Sequence, residues 1–502
     1  MRALLAFLAL LTMLLAGSPA LAVPPPAPWL AKIDPVLRAA GPEDEVEFIL
    51  YLARQADLSQ AERLATKEAK GNYVWQELTA VAAETQPTLW RQLDEMGVTY
   101  QSYWIANMIW VQGNGALLNR LAADAAVAGV YANPTVSLQL PAPLDSTAVP
   151  DAPLAVQPNI ALTNAPWAWA QGFSGQGVVV GGQDTGYRWD HVALINQYRG
   201  WDGVTADHNY NWYDAIHTGG GSCGPNSPFP CDDWGNGHGT HTMGIMVASL
   251  LGMAPDAQWI GCRNMNVGDG TPITYSECFQ WFIAPTDLNG QNPDPAQAPH
   301  VINNSWGCPP SEGCDATQIG LLEQVVNNVR AAGIVVVASA GNSGPACETI
   351  VSPPAIYPAT FTVGATNNSD QIASFSSRGP ASYGPALWIK PDLVAPGVGI
   401  YSTYRNGAYG TMSGTSMASP HAAGLVALII SANPDLAGQV DEIEALMRGT
   451  TVQLAGSQQC GPSNMSRSPN FVYGYGRLDA QRAIQALLGY QNHHYLPLAV
   501  AP

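Results

Sequence analysis

Residues 319–333, IGLLEQVVNNVRAAG, carry apolar side chains at helical spacing and run directly into GIVVVASA at 333–340, an apolar stretch the length of one buried strand. A helix that feeds a strand in this way is the crossover of a parallel sheet. Strands apolar along both faces need cover on both. A second run of the same character, GVVVGGQ, occupies 177–183. The expected fold class is therefore α/β, with a mainly parallel central sheet between helical layers and with the Gly-, Pro- and Asn-rich insertions lying over the surface.

The chain has 502 residues, room for several domains and a large core. Its start reads as a signal peptide, residues 1–22, with a basic residue, a short apolar run and ALA before Val23. A Pro-rich segment follows at 23–44. Residues 45–140 form a cysteine-free unit: EVEFILYLA reads as a strand, the stretch 58–84 as a helix, and GALLNRLAADAAVAG at 115–129 as another helix. Residues 141–159, rich in proline and small polar residues, read as an exposed connector. The main body spans 160–489, and 490–502 is a tail whose histidine pair is no argument for a metal. No stretch after the leader is expected to be long and continuously apolar enough to cross a bilayer. The net charge of −18 leaves no basic footprint for nucleic acid.

All eight cysteines lie in the body, at 223, 231, 262, 278, 308, 314, 347 and 460. An exported chain makes them disulfide candidates, and eight allow roughly a hundred complete pairings. Local spacing favours Cys223 with Cys231 and Cys308 with Cys314; the other four stay open. A thiolate zinc site would call for tight C-x-x-C pairs, which are absent.

Three separated blocks carry chemistry. VVVGGQDTG puts Asp184 at the carboxyl end of a buried strand, where open α/β sheets form their crevices, although an aspartate there can equally bind turn amides. GNGHGTHTMG sets His238 among glycines before an apolar helix. It lacks the glutamate of H-E-x-x-H, and His241 can pack or support instead of ligating. In YGTMSGTSMASPHAAGLVALII, Ser416 follows a glycine turn at the start of a helix, with Ser413, Thr415 and Ser419 as rivals.

Taken together, QDTG, GHGTH and GTSMASPH resemble, in order, the Asp, His and Ser signatures of the subtilisin-family (S8) serine endopeptidases. DTGYRWDHVAL, HNYNWYDA and WIGCRNM resemble its bacillopeptidase F-like branch, and the likeness spans about residues 160–487. It implies a subtilisin-like three-layer fold preceded by a small α+β, ferredoxin-like inhibitory prodomain over 45–140, with activation cleavage in the 140–160 region. It also implies that Asp184 orients His238, that His238 moves the proton, and that Ser416 attacks a peptide carbonyl to form an acyl-enzyme. Asn342, in VVVASAGNSGP, falls on the oxyanion-hole asparagine.

The likeness further implies that Ser305, Trp306 and Gly307 pair with an extended substrate, and that Ala338, Ser339, Ala340 and Gly341 form the opposing wall of the specificity pocket. Trp306 stands where relatives often carry an aliphatic residue. A hydrophobic side chain is expected before the cleaved bond. No organic cofactor is expected. Calcium is admitted as a structural ion, with Asp190, Asp202, Asp207 and Asp269 as acidic candidates that show no ligand spacing. The implied partners are protein or peptide substrates and the chain's own prodomain, without nucleic acid or a transmembrane anchor, in a secreted zymogen. Two rivals are an esterase using the same attack and an inactive secreted peptide-binding protein.

Overall fold

The computed structural model describes residues 28–141, 153–384, 386–462 and 466–489. The expected signal peptide, most of the connector and the tail lie outside them.

The N-terminal unit runs β1 (Glu45–Leu52), α1 (Lys67–Thr85), α2 (Pro87–Glu95), β2 (Thr99–Tyr103), β3 (Met108–Asn114), α3 (Gly115–Ala122) and β4 (Val127–Tyr131). Its antiparallel sheet has the order β2-β3-β1-β4, the ferredoxin-like arrangement. The helix read over 58–84 begins later, at Lys67, because the Thr66 hydroxyl caps it by accepting from the Ala69 amide at 3.2 Å. The helix read over 115–129 also needs correction. It ends at Ala122, the Asp124 carboxylate takes the Ala126 amide at 2.8 Å, and Val127–Tyr131 pairs with β1 instead. Strand pairing there outweighs the helical preference of an alanine-rich stretch.

Alternation along β1 divides its side chains between two cores. Phe48, Leu50 and Leu52 pack inside the unit with Leu89, Leu93, Val111 and Leu118. Ile49 faces the other way and joins Tyr103, Ile105 and Met108 against Phe279, Phe282, Val325 and Val329 of the body. A two-residue strand, β5 (Val136–Ser137), leads out of the unit.

The body opens with two short helices, α4 (Pro158–Leu162) and α5 (Ala165–Ala170). It continues through β6 (Val179–Asp184), β7 (Trp212–Asp214), α6 (His238–Val247), β8 (Gln258–Arg263), β9 (Met265–Asn266), β10 (Asp269–Gly270), α7 (Pro272–Ile283), β11 (Val301–Asn304), α8 (Ala316–Ala331), β12 (Val335–Ser339) and β13 (Phe361–Thr366). The hairpins β14 (Ala381–Tyr383) with β15 (Ala386–Trp388), and β17 (Ile400–Thr403) with β18 (Tyr409–Met412), flank β16 (Leu393–Pro396). Helices α9 (Thr415–Ala432), α10 (Val440–Gly449) and α11 (Ala480–Leu487) close the fold.

Seven strands form one sheet, β16-β13-β12-β11-β6-β8-β7, and every neighbouring pair is parallel. Strand β12 shows how both faces are covered. Val335 and Val337 point into a core shared with α6 and α9, while Val336 and Ala338 point into one shared with α7 and α8. Helix α9 is long and apolar enough to cross a bilayer, contrary to the expectation above, but 89% of it is buried in the core.

The cysteines join as 223–231, 262–278, 308–314 and 347–460. Both local pairs match expectation. The other two tie β8 to α7 and bridge a separation of 113 residues.

Candidate active site

Strands of a parallel sheet end together, and the residues that follow β6, β11 and β12 lie along one carboxyl edge. Asp184 closes β6, Ser305 and Trp306 follow β11, and Ala340 to Asn342 follow β12.

His238 is the first residue of α6, and the glycines around it have separate tasks. Gly237 has φ of +94°, and a methyl group at 239 would run into the Gly186 carbonyl oxygen. This close approach brings the helix start onto the end of β6. There His238 Nδ1 and Asp184 Oδ1 are 2.6 Å apart, both groups fully buried. The Thr185 amide also donates to Asp184 Oδ1 at 2.7 Å. His238 Nε2 is buried without a partner, and the Trp234 ring meets the imidazole edge-on at 5.9 Å between centroids.

Ser416 lies on the first turn of α9. Pro420 explains part of its setting: proline has no amide hydrogen to give the carbonyl four residues back, so the Ser416 carbonyl is free to accept from Ser305 Oγ at 2.9 Å. The Ser416 hydroxyl in turn donates to the Ser305 carbonyl at 3.2 Å. No described hydrogen bond joins Ser416 to His238, so the aspartate–histidine half of the predicted line is formed and the serine half is not.

The orientation of Asn342 follows from Thr415. Its Oδ1 accepts from the Thr415 amide at 2.9 Å and from the Thr415 hydroxyl at 3.0 Å. The amide nitrogen is therefore left for the cleft, where Nδ2 donates to the main-chain carbonyl of Gln139 at 3.3 Å. A cavity of about 170 Å³ beside it is lined by Ser305, Trp306, Gly307, Ser339, Ala340 and Gly341, among others. Of the predicted pocket residues only Ala338 is absent from that wall, because its side chain faces the α8 core. Trp306 stacks on Tyr275 with ring centroids 3.8 Å apart.

Sequence reading missed Asp232. Buried beneath the site, it accepts from Thr185 Oγ1 at 3.0 Å, Thr240 N at 3.0 Å and Thr240 Oγ1 at 2.7 Å, which joins the loop after β6 to α6. Burial pushes its carboxyl up to about 6. His241 is enclosed, with Nε2 on the carbonyls of Ile400 and Gly410 at 3.0 and 3.2 Å, and burial holds its pKa down to about 3. It is a neutral packing residue. No sequence signal marks Asp232, because its bond from Thr185 joins residues 47 positions apart.

The acidic metal candidates stay apart. Asp190 pairs with Arg188, Asp202 takes the Val204 and Thr205 amides, Asp207 holds Asn209, and Asp269 accepts from Ser137 Oγ. Among the described residues no group of three or more acidic, histidine or cysteine side chains could hold a metal ion. The four candidate carboxylates therefore do not come together as one ligand set.

Fold and cleft together define the class: an α/β protein of the subtilisin-like kind. Residues 175–476 match the Subtilase family, and the chain belongs to it. It is 34% identical to Bacillopeptidase F of Bacillus subtilis (strain 168) over 474 residues, which cover 89% of this chain and 31% of that protein. It is 37% identical over 284 residues to Serine protease AprX of the same organism, with 51% and 59% covered, and 33% identical over 333 residues to Subtilisin DY of Bacillus licheniformis, with 65% and 97% covered. The chain thus spans about a third of Bacillopeptidase F and under two thirds of AprX.

Proposed function

We propose that this chain is a secreted serine endopeptidase made as a zymogen, with Ser416 as nucleophile, His238 as proton carrier, Asp184 as its orienting carboxylate and Asn342 as oxyanion donor. The observation that carries the reading is a polypeptide carbonyl, that of Gln139, held on the Asn342 amide beside the α9 amino terminus. An amide donor fixed by two bonds from Thr415 offers a preorganised contact for an oxygen that becomes negative during attack.

In this mechanism Ser416 turns its hydroxyl from the Ser305 carbonyl to the unpartnered His238 Nε2, which takes the proton as Oγ bonds to the peptide carbonyl carbon. The Ser416 amide, in the first turn of α9 where amides have no helical acceptor, is the second donor to the oxyanion. His238, held in one tautomer by Asp184, passes the proton to the leaving nitrogen, and water then opens the ester.

The N-terminal unit acts as the prodomain. It is docked by apolar contact, by the Trp104 and Ile105 amides on Gln280 Oε1 at 2.7 and 3.1 Å, and by the Tyr103 hydroxyl on Glu277 at 2.9 Å, while its exit strand lies in the cleft. The signal-like leader and four disulfides support export. The test is hydrolysis of a denatured protein by wild type and by Ser416→Ala; undiminished cleavage by the variant rejects the assignment.

A further inference from the structure

The segment leaving the N-terminal unit crosses the cleft in a defined register. Ser137 and Val136 pair antiparallel with Asp269 and Gly270, and the Leu138 amide donates to the Gly268 carbonyl at 2.8 Å. The carbonyl of the following residue, Gln139, is the one on Asn342. The residues that follow, Leu140 and Pro141, lie against Gly414, where an added methyl would be 3.6 Å from each. Among the described residues Gln139 is thus the only one of this segment whose carbonyl meets the amide donor, and the chain passes on from it toward the turn that carries Ser416.

Its side chain is also read. Gln139 Nε2 donates to Glu312 Oε1 at 2.9 Å, and Glu312 Oε2 accepts the Ser137 amide at 3.3 Å. One carboxylate therefore holds the main chain two residues upstream and inspects the side chain at the carbonyl. Glu312 ends a short turn, Pro310–Glu312, inside the loop closed by Cys308–Cys314, and Gly313 completes it with φ of +96°. A loop this small presents the carboxylate from a fixed position.

We infer that Glu312 is a specificity-determining residue that selects a hydrogen-bond donor or a cation, in place of an acidic or purely apolar side chain, on the residue before the cleaved bond, and that Gln139–Leu140 is the bond this chain cuts in itself. The inference rests on the serine endopeptidase reading. In the self-cleavage Ser416 Oγ bonds to the Gln139 carbonyl carbon, and the bond from that carbon to the Leu140 nitrogen breaks. The nitrogen leaves with the proton that Ser416 gave to His238. Water then adds to the ester, returns a proton to Ser416 through His238, and releases Gln139 as a carboxylate. A glutamate at 139 would set two negative charges within hydrogen-bond distance, whereas lysine would convert the bond to a charge-assisted one.

The experiment uses the processed full chain and peptides of the sequence 134–145 carrying Gln, Lys, Met or Glu at 139. Cleavage is expected after position 139, with kcat/KM for Gln and Lys at least about tenfold above that for Glu and with Met between. Glu312→Gln is expected to bring the Gln-to-Glu ratio within about twofold, and Glu312→Lys to invert it. In the full chain, the mature amino terminus is expected at Leu140, and Gln139→Glu is expected to slow processing. Hydrolysis of denatured protein without discrimination among the four peptides overturns the assignment of Glu312, as does an unchanged ratio in Glu312→Gln. Cleavage at another bond overturns the assignment of Gln139–Leu140. Absence of any hydrolysis of denatured protein by wild type overturns the endopeptidase reading and this inference with it.

Discussion

Replacing Gln280 by leucine keeps the bulk of the α7 side chain and deletes the acceptor shared by two main-chain donors of the N-terminal unit. The Trp104 amide, on a half-buried residue, and the Ile105 amide, on a buried one, approach Oε1 at 2.7 and 3.1 Å. A donor stranded by such a change costs about 1–3 kcal/mol, and water can recover part of the loss at the more exposed of the two. The sum is about 2–4 kcal/mol, which weakens association of the unit with the body by roughly 30- to 1000-fold. The assay is inhibition of peptide hydrolysis by added N-terminal unit, residues 28–139, with Gln280→Glu as the variant that restores an acceptor. An affinity of Gln280→Leu within about threefold of wild type would refute the reasoning. The apolar face formed by Ile49, Tyr103 and Met108 against Phe279 and Phe282, with the Tyr103–Glu277 hydrogen bond, would then carry docking.

Asn342→Ala is expected to lower kcat by about 10²–10³ with little change in KM, read by steady-state kinetics; subtilisin is itself the reference case for that magnitude, so the figure is carried over and not worked from this site. Gly239→Ala would force the start of α6 off the Gly186 carbonyl, and a loss of both activity and thermal stability is expected, measured by turnover and by thermal unfolding. Removing the bridge with Cys347→Ser and Cys460→Ser in the Ser416→Ala background is expected to cost about 2–5 kcal/mol in denaturant unfolding, because the separation of 113 residues releases a long loop in the unfolded chain. The Glu277 carboxylate raises the pKa of His217 from 6.5 to about 9. The folded state therefore holds the proton more tightly than the unfolded chain: the contribution is full below about pH 6.5 and is lost as pH rises through 9. Burial lowers Lys67 to about 8, which works in the opposite direction as pH rises. The quantity to measure is thus the stability difference between wild type and His217→Gln, expected to shrink from pH 7 to 10 and to be small throughout because the His217 side chain is 37% exposed.

Much of the candidate site was legible in short stretches because its parts depend on local chemistry. QDTG, GHGTH and GTSMASPH each carry both a reactive group and the small residues that let two chain segments approach, as Gly239 does against Gly186. Cys223–Cys231 and Cys308–Cys314 were legible for the same reason, since close neighbours in sequence are close in space. The strand at Val127–Tyr131 was not, because alanine-rich sequence favours a helix until β1 supplies a pairing edge.

The order of the sheet, the direction in which the Asn342 amide points, the bond from Thr185 to Asp232 beneath the site and the reach of Glu312 to Gln139 depend on residues tens to hundreds of positions apart. Such contacts have no local spacing to announce them, since each exists only after strands and helices have chosen their neighbours. The sequence by itself determined which functional groups this chain owns and the layered α/β class that carries them. Tertiary packing alone decided which carbonyl meets Asn342 and which side chain stands before it, because a hydrogen bond is set by distance and direction in space and not by order along the chain.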